Sequence, residues 1–369
     1  MTEVLLKFGA DGGGGFLKIT LSIQDLRRPL EKEIVNARKS YSDGEYSEKF
    51  KDTGVNKLLL IGITEFSCEN HQNLSILWNL LRISDMFQNQ DSYSTCIATD
   101  LKLANILSGL MSHSSSFPCT WCVAPKNDLS TMAKLRTIGD IIDNNQNWIK
   151  SGEKEKDCKK FVCCSNVPII SSDRKKKIIE LIPPPELHLL IGVVNKVHDE
   201  MCKNFKSIGE LWIKKCNVTK EIFNKSEGFS GNDCKKLLNN TDILREICTS
   251  KCVFSCMKFL DCLEKFKSVV ESCFTLDLKS GYEEKICAFK KSYFDLNISV
   301  TPKVHSVFFH IKDFCEISNK GLGFYSEQAV ESAHADFKKI WKKYKVKKSN
   351  TNYPENLVKA VREYSSKHV

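Results

Sequence analysis

The spacing of apolar positions divides the chain into a strand-like first part and a helical later part. Val4 to Phe8 is a short apolar run, Asp11-Gly12-Gly13-Gly14-Gly15 reads as a turn, and Phe16 to Ile23 alternates apolar with polar residues. Such alternation beside a glycine-rich break predicts a β-hairpin whose turn carries Asp11. Leu58 to Ile63 is apolar, as a strand buried on both faces would be. Leu74 to Ile83 predicts a helix and Thr95 to Thr99 a short strand ending at Asp100. Leu101 to Met111 predicts a helix with Leu103, Ile106, Leu107 and Leu110 on one face.

From 112 to 180 no period is sustained, and the charge runs Glu153–Lys160 and Arg174–Lys177 read as solvated loops. Pro183-Pro184-Pro185 should stop any preceding element and lead into a helix from Glu186. Further helices are predicted at 196–215, 232–246, 253–275 and 281–295, and a last long one from Tyr325 to Tyr344. No internal repeat is present. The expected class is α/β: a mixed sheet with flanking helices in 1–111, a mainly helical insertion in 112–318, and a closing helix with a basic segment in 319–369.

Composition narrows the partners. The chain has 369 residues and a net charge of +10, which mildly favours an anionic partner such as nucleic acid, though a solvated basic surface explains the number as well; no small-molecule substrate is expected. Its 17 cysteines are odd in number and scattered, without a signal-peptide pattern, so the expected setting is a reducing one. No apolar run approaches the roughly 20 residues that span a bilayer, and no membrane role is expected.

Two constellations carry candidate chemistry. Asp11 follows a strand and precedes glycines, Asp100 ends a strand and starts a helix, and Glu331 lies on the closing helix. Carboxylates on rigid strand ends suit a pair of Mg²⁺ or Mn²⁺ ions about 3.5–4 Å apart. The alternative for Asp100 is a simple helix N-cap. On the closing helix Glu327, Glu331, His334 and Lys338 form a polar stripe beside the apolar Phe337, Ile340, Trp341 and Tyr344. The second constellation is Cys119-Thr120-Trp121-Cys122 with His305 and His310, a Cys₂His₂ set suited to tetrahedral Zn²⁺. Its alternatives are a redox C-x-x-C pair and two ordinary histidines. Cys163-Cys164 look unremarkable.

The order of these motifs resembles the catalytic core of the V(D)J recombinase and the related Transib-type DNA transposases, over about residues 8 to 345. Asp11-Gly12-Gly13 is similar to the stretch holding that family's first catalytic Asp, and Thr99-Asp100-Leu101-Lys102 to that holding the second. Cys119-Thr120-Trp121-Cys122 and the His305/His310 pair resemble its zinc motifs. Glu186-Leu187-His188 falls where the family carries a histidine near the scissile phosphate. Gly231-Asn232 with Lys235 to Leu238 resembles a family segment before a helix. Ser326-Glu327, Glu331-Ser332, Phe337 and Lys338-Lys339 resemble the stretch with the last catalytic Glu, which selects Glu331 over Glu327.

The resemblance implies an RNase H-like fold interrupted by the zinc-binding insertion, and a nuclear enzyme that cleaves and joins double-stranded DNA. Asp11, Asp100 and Glu331 would hold two Mg²⁺ or Mn²⁺ ions, with Glu65 as an accessory acid (Glu69 competes for that place) and His188 on the phosphate or a leaving oxygen, though a helix-start histidine making a local bond explains His188 as well. Cys119, Cys122, His305 and His310 would hold structural zinc. Lys338, Lys339, Lys342 and Lys343 would contact DNA phosphates, though a solvated helix end explains them as well. Paired DNA ends would call for a homodimer. The family carries a recognition domain upstream of its first Asp, and Asp11 lies almost at the N-terminus. The expectation is therefore a core without its own sequence reader. The alternative is a domesticated or decayed core that grips DNA or protein without cutting.

Overall fold

The computed structural model describes residues 4–13, 15–25, 58–65, 69–88, 93–223 and 226–366. In chain order its main elements begin with β1 (Val4–Gly13), β2 (Phe16–Asp25), β3 (Leu59–Glu65), α1 (His71–Leu80), α2 (Ile83–Gln88), β4 (Ser94–Thr99), α3 (Leu101–Leu107), α4 (Ile138–Lys150) and α5 (Ile178–Leu181). There follow α6 (Glu186–Lys215), the short strands β5 (Glu221–Phe223) and β6 (Ser226–Gly228), α7 (Gly231–Asn239), α8 (Thr241–Ser250) and α9 (Met257–Cys273). The chain continues with α10 (Tyr282–Phe294), α11 (Pro302–His305), α12 (Ile311–Ser318), α13 (Gln328–Tyr344) and α14 (Tyr353–Ser366). It forms two compact units, one of residues 1–126, 134–183 and 325–369, the other of 127–133 and 184–324.

The first unit is built on a four-stranded sheet of order β3-β2-β1-β4, in which β1 pairs antiparallel with β2 and parallel with β4. The hairpin is tighter than the glycine run suggests. Asp11, Gly12 and Gly13 continue β1, Gly13 pairs with Phe16, and Gly15 turns at φ 87°. Glycine extends as readily as it bends, so strand pairing consumes most of the expected turn. Gly14 lies outside the described residues.

Alternation along β1 sorts its side chains between two helical layers. Phe8 packs on Trp78 of α1 and Phe87 of α2, at ring distances of 6.2 and 5.6 Å. On the other face Phe16 meets Phe337 and Trp341 of α13 edge-on, at 5.8 and 5.7 Å. Ile340, Ala360 and Tyr364 complete that cluster. The apolar stripe of the closing helix is thus a core stripe, each large side chain contributing about 1.5–3 kcal/mol by its burial. Gly9 lets α13 approach: a Cβ there would collide with Val330 and with the Thr20 hydroxyl.

Other expectations need correction too. The helix predicted to reach Met111 ends at Leu107, because Gly109 turns at φ 76° to bring its backbone against Asn166, whose N–H it accepts at 2.9 Å. The stretch 112–180, in which no period is sustained, contains α4, started by a capping box in which Thr137 and Asp140 satisfy each other's backbone N–H groups. Beyond Tyr344 the chain forms α14, with Leu357, Ala360, Val361 and Tyr364 turned to the core at helical spacing.

The second unit is mainly helical. As expected, α6 starts after the three prolines; it runs 30 residues and kinks at Phe205. It packs against α7, α8 and α9, with Trp212 fully buried and its indole N–H donating to the Asn240 carbonyl at 3.0 Å. Helices α9 and α10 pair through Phe266 and Phe289 at 5.0 Å. Between α11 and α12 the helix loosens into a π-turn, Ser306–His310.

Candidate functional site

The Cys119/Cys122 knuckle is fixed by backbone pairing with residues 134–136. Val123 N–H donates to the Lys134 carbonyl at 3.0 Å and Arg136 N–H to the Trp121 carbonyl at 2.8 Å. The guanidinium of Arg136, itself buried, then reaches under the knuckle. Its Nε donates to the carbonyls of Cys119 and Cys122 at 3.3 and 3.0 Å, and its Nη1 to that of Val162 at 3.0 Å. Thr120 donates to Asn105 at 2.6 Å and the Trp121 indole to the Ile182 carbonyl at 2.8 Å. Backbone and side chains therefore hold the knuckle with both thiols buried.

The histidines owe their alignment to the π-turn. Five residues along an α-helix leave two side chains on different faces; an i→i+5 turn stacks them. The N–H of Ile311 donates to the Ser306 carbonyl in that pattern, and the rings of His305 and His310 come to 4.9 Å. His305 Nδ1 bonds to the Leu129 carbonyl at 2.9 Å and His310 Nδ1 to Asp313 Oδ2 at 3.1 Å. Each ring thus spends Nδ1–H on an oxygen and leaves Nε2 as the basic nitrogen, the arrangement of metal-binding imidazoles.

The ligand atoms of Cys119, Cys122, His305 and His310 all lie within 4.8 Å of one another, and all four residues are buried. The two Nε2 atoms are 3.2 Å apart. Nitrogens bound to one tetrahedral zinc at about 2.05 Å would be about 3.3 Å apart. Burial, then the hydrogen bond and charge of Cys122, push the Cys119 thiol well above its ordinary range. A divalent cation reverses that preference by binding thiolate. The cluster fits a metal such as zinc. Sequence reasoning found the four ligands but missed Asp313 and Arg136; Asp313, three residues past His310, was visible as a partner for that ring.

The acids lie in the first unit. Ala10 and Thr99 are register partners in the parallel pair β1/β4, so Asp11 and Asp100 are the next residues on adjacent strands, at one level. Strands so paired lie about 4.8 Å apart. Thr99 Oγ1 donates to the Ala10 carbonyl at 2.8 Å, tying the two ends. Asp100 is an N-cap as well: its Oδ1 accepts from Leu103 N–H at 2.7 Å, while Oδ2 has no hydrogen-bond partner among the described residues.

Asp11 stands opposite Lys18 on β2. Lys18 is buried, its ammonium 5.9 Å from the ring centre of Phe16 and 5.8 Å from that of Phe337. Burial lowers its pKa to about 8 against the opposing pull of Asp11. This partner escaped the sequence reading, since only the hairpin register sets it opposite Asp11.

Glu331 is half-buried in the first turn of α13, next to the Val330 that packs on Gly9. Lys7 Nζ reaches the Ser326 carbonyl at 3.5 Å, so the helix advances along β1 in the direction of Asp11. Glu327 is buried one turn earlier. Glu65, at the end of β3, is separated from β1 by β2 and pairs with Lys348 at 3.0 Å. Burial raises its pKa, but hydrogen bonds from Tyr353 and Lys348 outweigh that and hold the carboxyl below its ordinary range. Glu69 pairs with Lys102 and lies over Gly12, on the opposite face of β1 from Asp11. His188 is half-buried in the first turn of α6, in the second unit.

Of the candidate DNA lysines, Lys339 pairs with Asp336 at 3.0 Å and Lys343 with Glu363 at 2.5 Å. Lys338 and Lys342, one turn apart and exposed, have no ion pair among the described residues. Trp341 belongs to the core, as its spacing predicted. No protein-family model matches the chain, and no curated protein matches it.

Proposed function

We propose that the chain is a metal-dependent DNA cleavage and strand-transfer core of the DDE type, built on an RNase H-like sheet and carrying a structural zinc. The observation that carries this reading is the Ala10/Thr99 register of the parallel pair β1/β4, which sets Asp11, within β1, level with Asp100, the residue just past β4. Asp11, Asp100 and Glu331 supply hard carboxylate oxygens, which suit Mg²⁺ or Mn²⁺. The Oδ2 of Asp100, which has no hydrogen-bond partner among the described residues, fits that role. Two such ions, when bound, activate water and stabilise the leaving oxygen of a phosphodiester. The carboxylates hold them; Lys338 and Lys342 fix the DNA backbone by charge. The resemblance extends the cycle to attack by the freed 3′-hydroxyl on a second strand, with His188 at the phosphate, in a nuclear homodimer. The Cys₂His₂ set, with four protein ligands and no open position, serves structure and not catalysis.

A second reading has one specific observation in its favour. Lys18 already places an ammonium beside Asp11, as a core that grips DNA or protein without cutting would tolerate. Incubation of the full chain with supercoiled plasmid and Mn²⁺ separates the two. Nicking by the wild type that disappears in Asp11→Asn supports the enzyme. Plasmid bound but left intact by the wild type rejects it.

A further inference from the structure

The hairpin builds a cation into the neighbourhood of the acids. Asp11 and Lys18 are register partners across the antiparallel pair β1/β2, so their side chains leave the same face of the sheet with Cβ atoms about 4.5–5.5 Å apart. That face is the one α13 covers, since Gly9, two residues before Asp11, meets Val330. Lys18 is 3% exposed, and its ammonium lies 5.9 Å from the ring centre of Phe16 and 5.8 Å from that of Phe337. The two rings pack edge-on, and Phe337 shares α13 with Glu331. The helix that carries one acid therefore also helps to confine the ammonium opposite another.

A buried ammonium is costly unless an opposite charge compensates it. Aromatic faces attract it, but weakly beside a carboxylate. Asp11 is the charge that stabilises Lys18 against its burial. The relation works in both directions. Carboxylates gathered before any ion arrives repel one another, and an ammonium held against Asp11 offsets that repulsion and restrains its carboxylate. The same ammonium repels a divalent ion that Asp11 takes up. Neither effect requires Lys18 to reach solvent or DNA, so its occlusion is no obstacle.

We propose that Lys18 is a positioning residue of the acidic site, a built-in counter-ion that holds the Asp11 carboxylate before metal binds and weakens the site's grip on a divalent ion. The inference rests on the metal role proposed for Asp11. It gives a use in a cutting core to the ammonium that a non-cutting core would merely tolerate.

Two measurements on the full chain test it. The first is a double-mutant cycle without Mg²⁺ or Mn²⁺, read as urea midpoints of Asp11→Asn, Lys18→Met and the pair. Asp11→Asn should lower the midpoint by leaving the ammonium uncompensated, and adding Lys18→Met should recover part of that loss. Additive losses overturn the proposal. The second is Mn²⁺ binding by electron paramagnetic resonance, with zinc supplied to the cysteine and histidine ligands. Lys18→Met should bind Mn²⁺ about ten-fold more tightly than wild type, the size of the repulsion between an ammonium and a divalent ion roughly 6 Å apart in water-like surroundings. Lys18→Arg, which keeps the charge, should bind as wild type does, and Asp100→Asn more weakly. Removal of a merely structural lysine would not strengthen ion binding. Lys18→Gln, which keeps a polar end, repeats both measurements should Lys18→Met not fold. Equal Mn²⁺ affinity in wild type and the neutral variant overturns the proposal and leaves the metal site standing. Absence of Mn²⁺ binding in both rejects the metal site itself, and the proposal with it.

Discussion

The Nε2 atoms of His305 and His310 face each other at 3.2 Å, each ring anchored through Nδ1, one to the Leu129 carbonyl and the other to Asp313. Two basic nitrogens held that close repel unless a cation lies between their lone pairs. We expect one zinc per chain by elemental analysis, lost in Cys119→Ser and in His310→Ala. Structural zinc sites contribute roughly 10–16 kcal/mol in small zinc-dependent folds, so chelation should lower the thermal midpoint sharply. Asp313→Asn should keep the fold and weaken zinc affinity about 10- to 100-fold, the usual cost of losing an outer partner. Equal zinc affinity in that variant would remove Asp313 from the site.

Asp100 caps α3, and one pair of substitutions separates that role from the proposed one of holding an ion. Asn is as good an N-cap as Asp, so Asp100→Asn should leave stability almost unchanged. Asp100→Ala should cost about 1 kcal/mol in denaturant unfolding. Both should abolish Mn²⁺-dependent nicking if Asp100 holds an ion. A nicking-competent Asp100→Asn variant would reduce the residue to a cap.

Arg136 underlies the cysteine knuckle. Arg136→Met keeps the bulk but removes the donor that the carbonyls of Cys119, Cys122 and Val162 accept from. Loss of a charged donor to buried acceptors costs about 1–3 kcal/mol, so a loss of at least about 1 kcal/mol is expected. Zinc release at a lower chelator concentration than wild type should accompany it. Unchanged stability would mean that the guanidinium contributes no net hydrogen bonding.

The approach of α13 to the sheet depends on Gly9. Gly9→Ala drives a methyl into Val330 and should cost about 1–3 kcal/mol. Adding Val330→Ala should recover part of that loss, because it opens space at the same contact. Additive losses in the double variant would place the strain elsewhere.

Alkaline pH should unfold the protein through its thiols. Burial pushes Cys96, Cys158, Cys234, Cys256 and Cys262 up to about 12 from 9.0. Above 9 the unfolded chain releases these protons and the folded one keeps them. Their contribution is therefore complete below 9 and is lost as pH rises toward 12. Lys18 acts with the opposite sign, because its lowered pKa makes the folded state release its proton first, between about 8 and 10.5. Five thiols outweigh one lysine. Urea midpoints should fall steadily above about pH 9, and a flat profile there would contradict the burial of these thiols.

The hairpin, the strand ending at Asp100 and the helix after the three prolines were legible, because each rests on local period or on proline chemistry; the third strand was legible as a strand, but it is a half-buried edge strand and not one buried on both faces. The four cysteine and histidine ligands were legible too, since residue type and short spacing mark them. Helix α4 carried a readable capping box at Thr137 and Asp140 but too few apolar positions to stand out. Where Glu65 and Glu69 lie was not legible: Glu65 ends β3, beyond β2 from β1, and Glu69 precedes α1 and lies over Gly12 on the face of β1 opposite Asp11, which a linear pattern does not encode.

By itself, then, the sequence determined the elements and the chemical types available to them, since turns, caps and periodicity act over a few residues. Only the tertiary structure decided which distant groups became neighbours. The β1/β4 register set Asp11 level with Asp100, the hairpin set Lys18 against Asp11, and the π-turn aligned two histidines with a distant cysteine pair. Those pairings depend on how strands align and how helices pack, and these are settled by burial summed over the whole core.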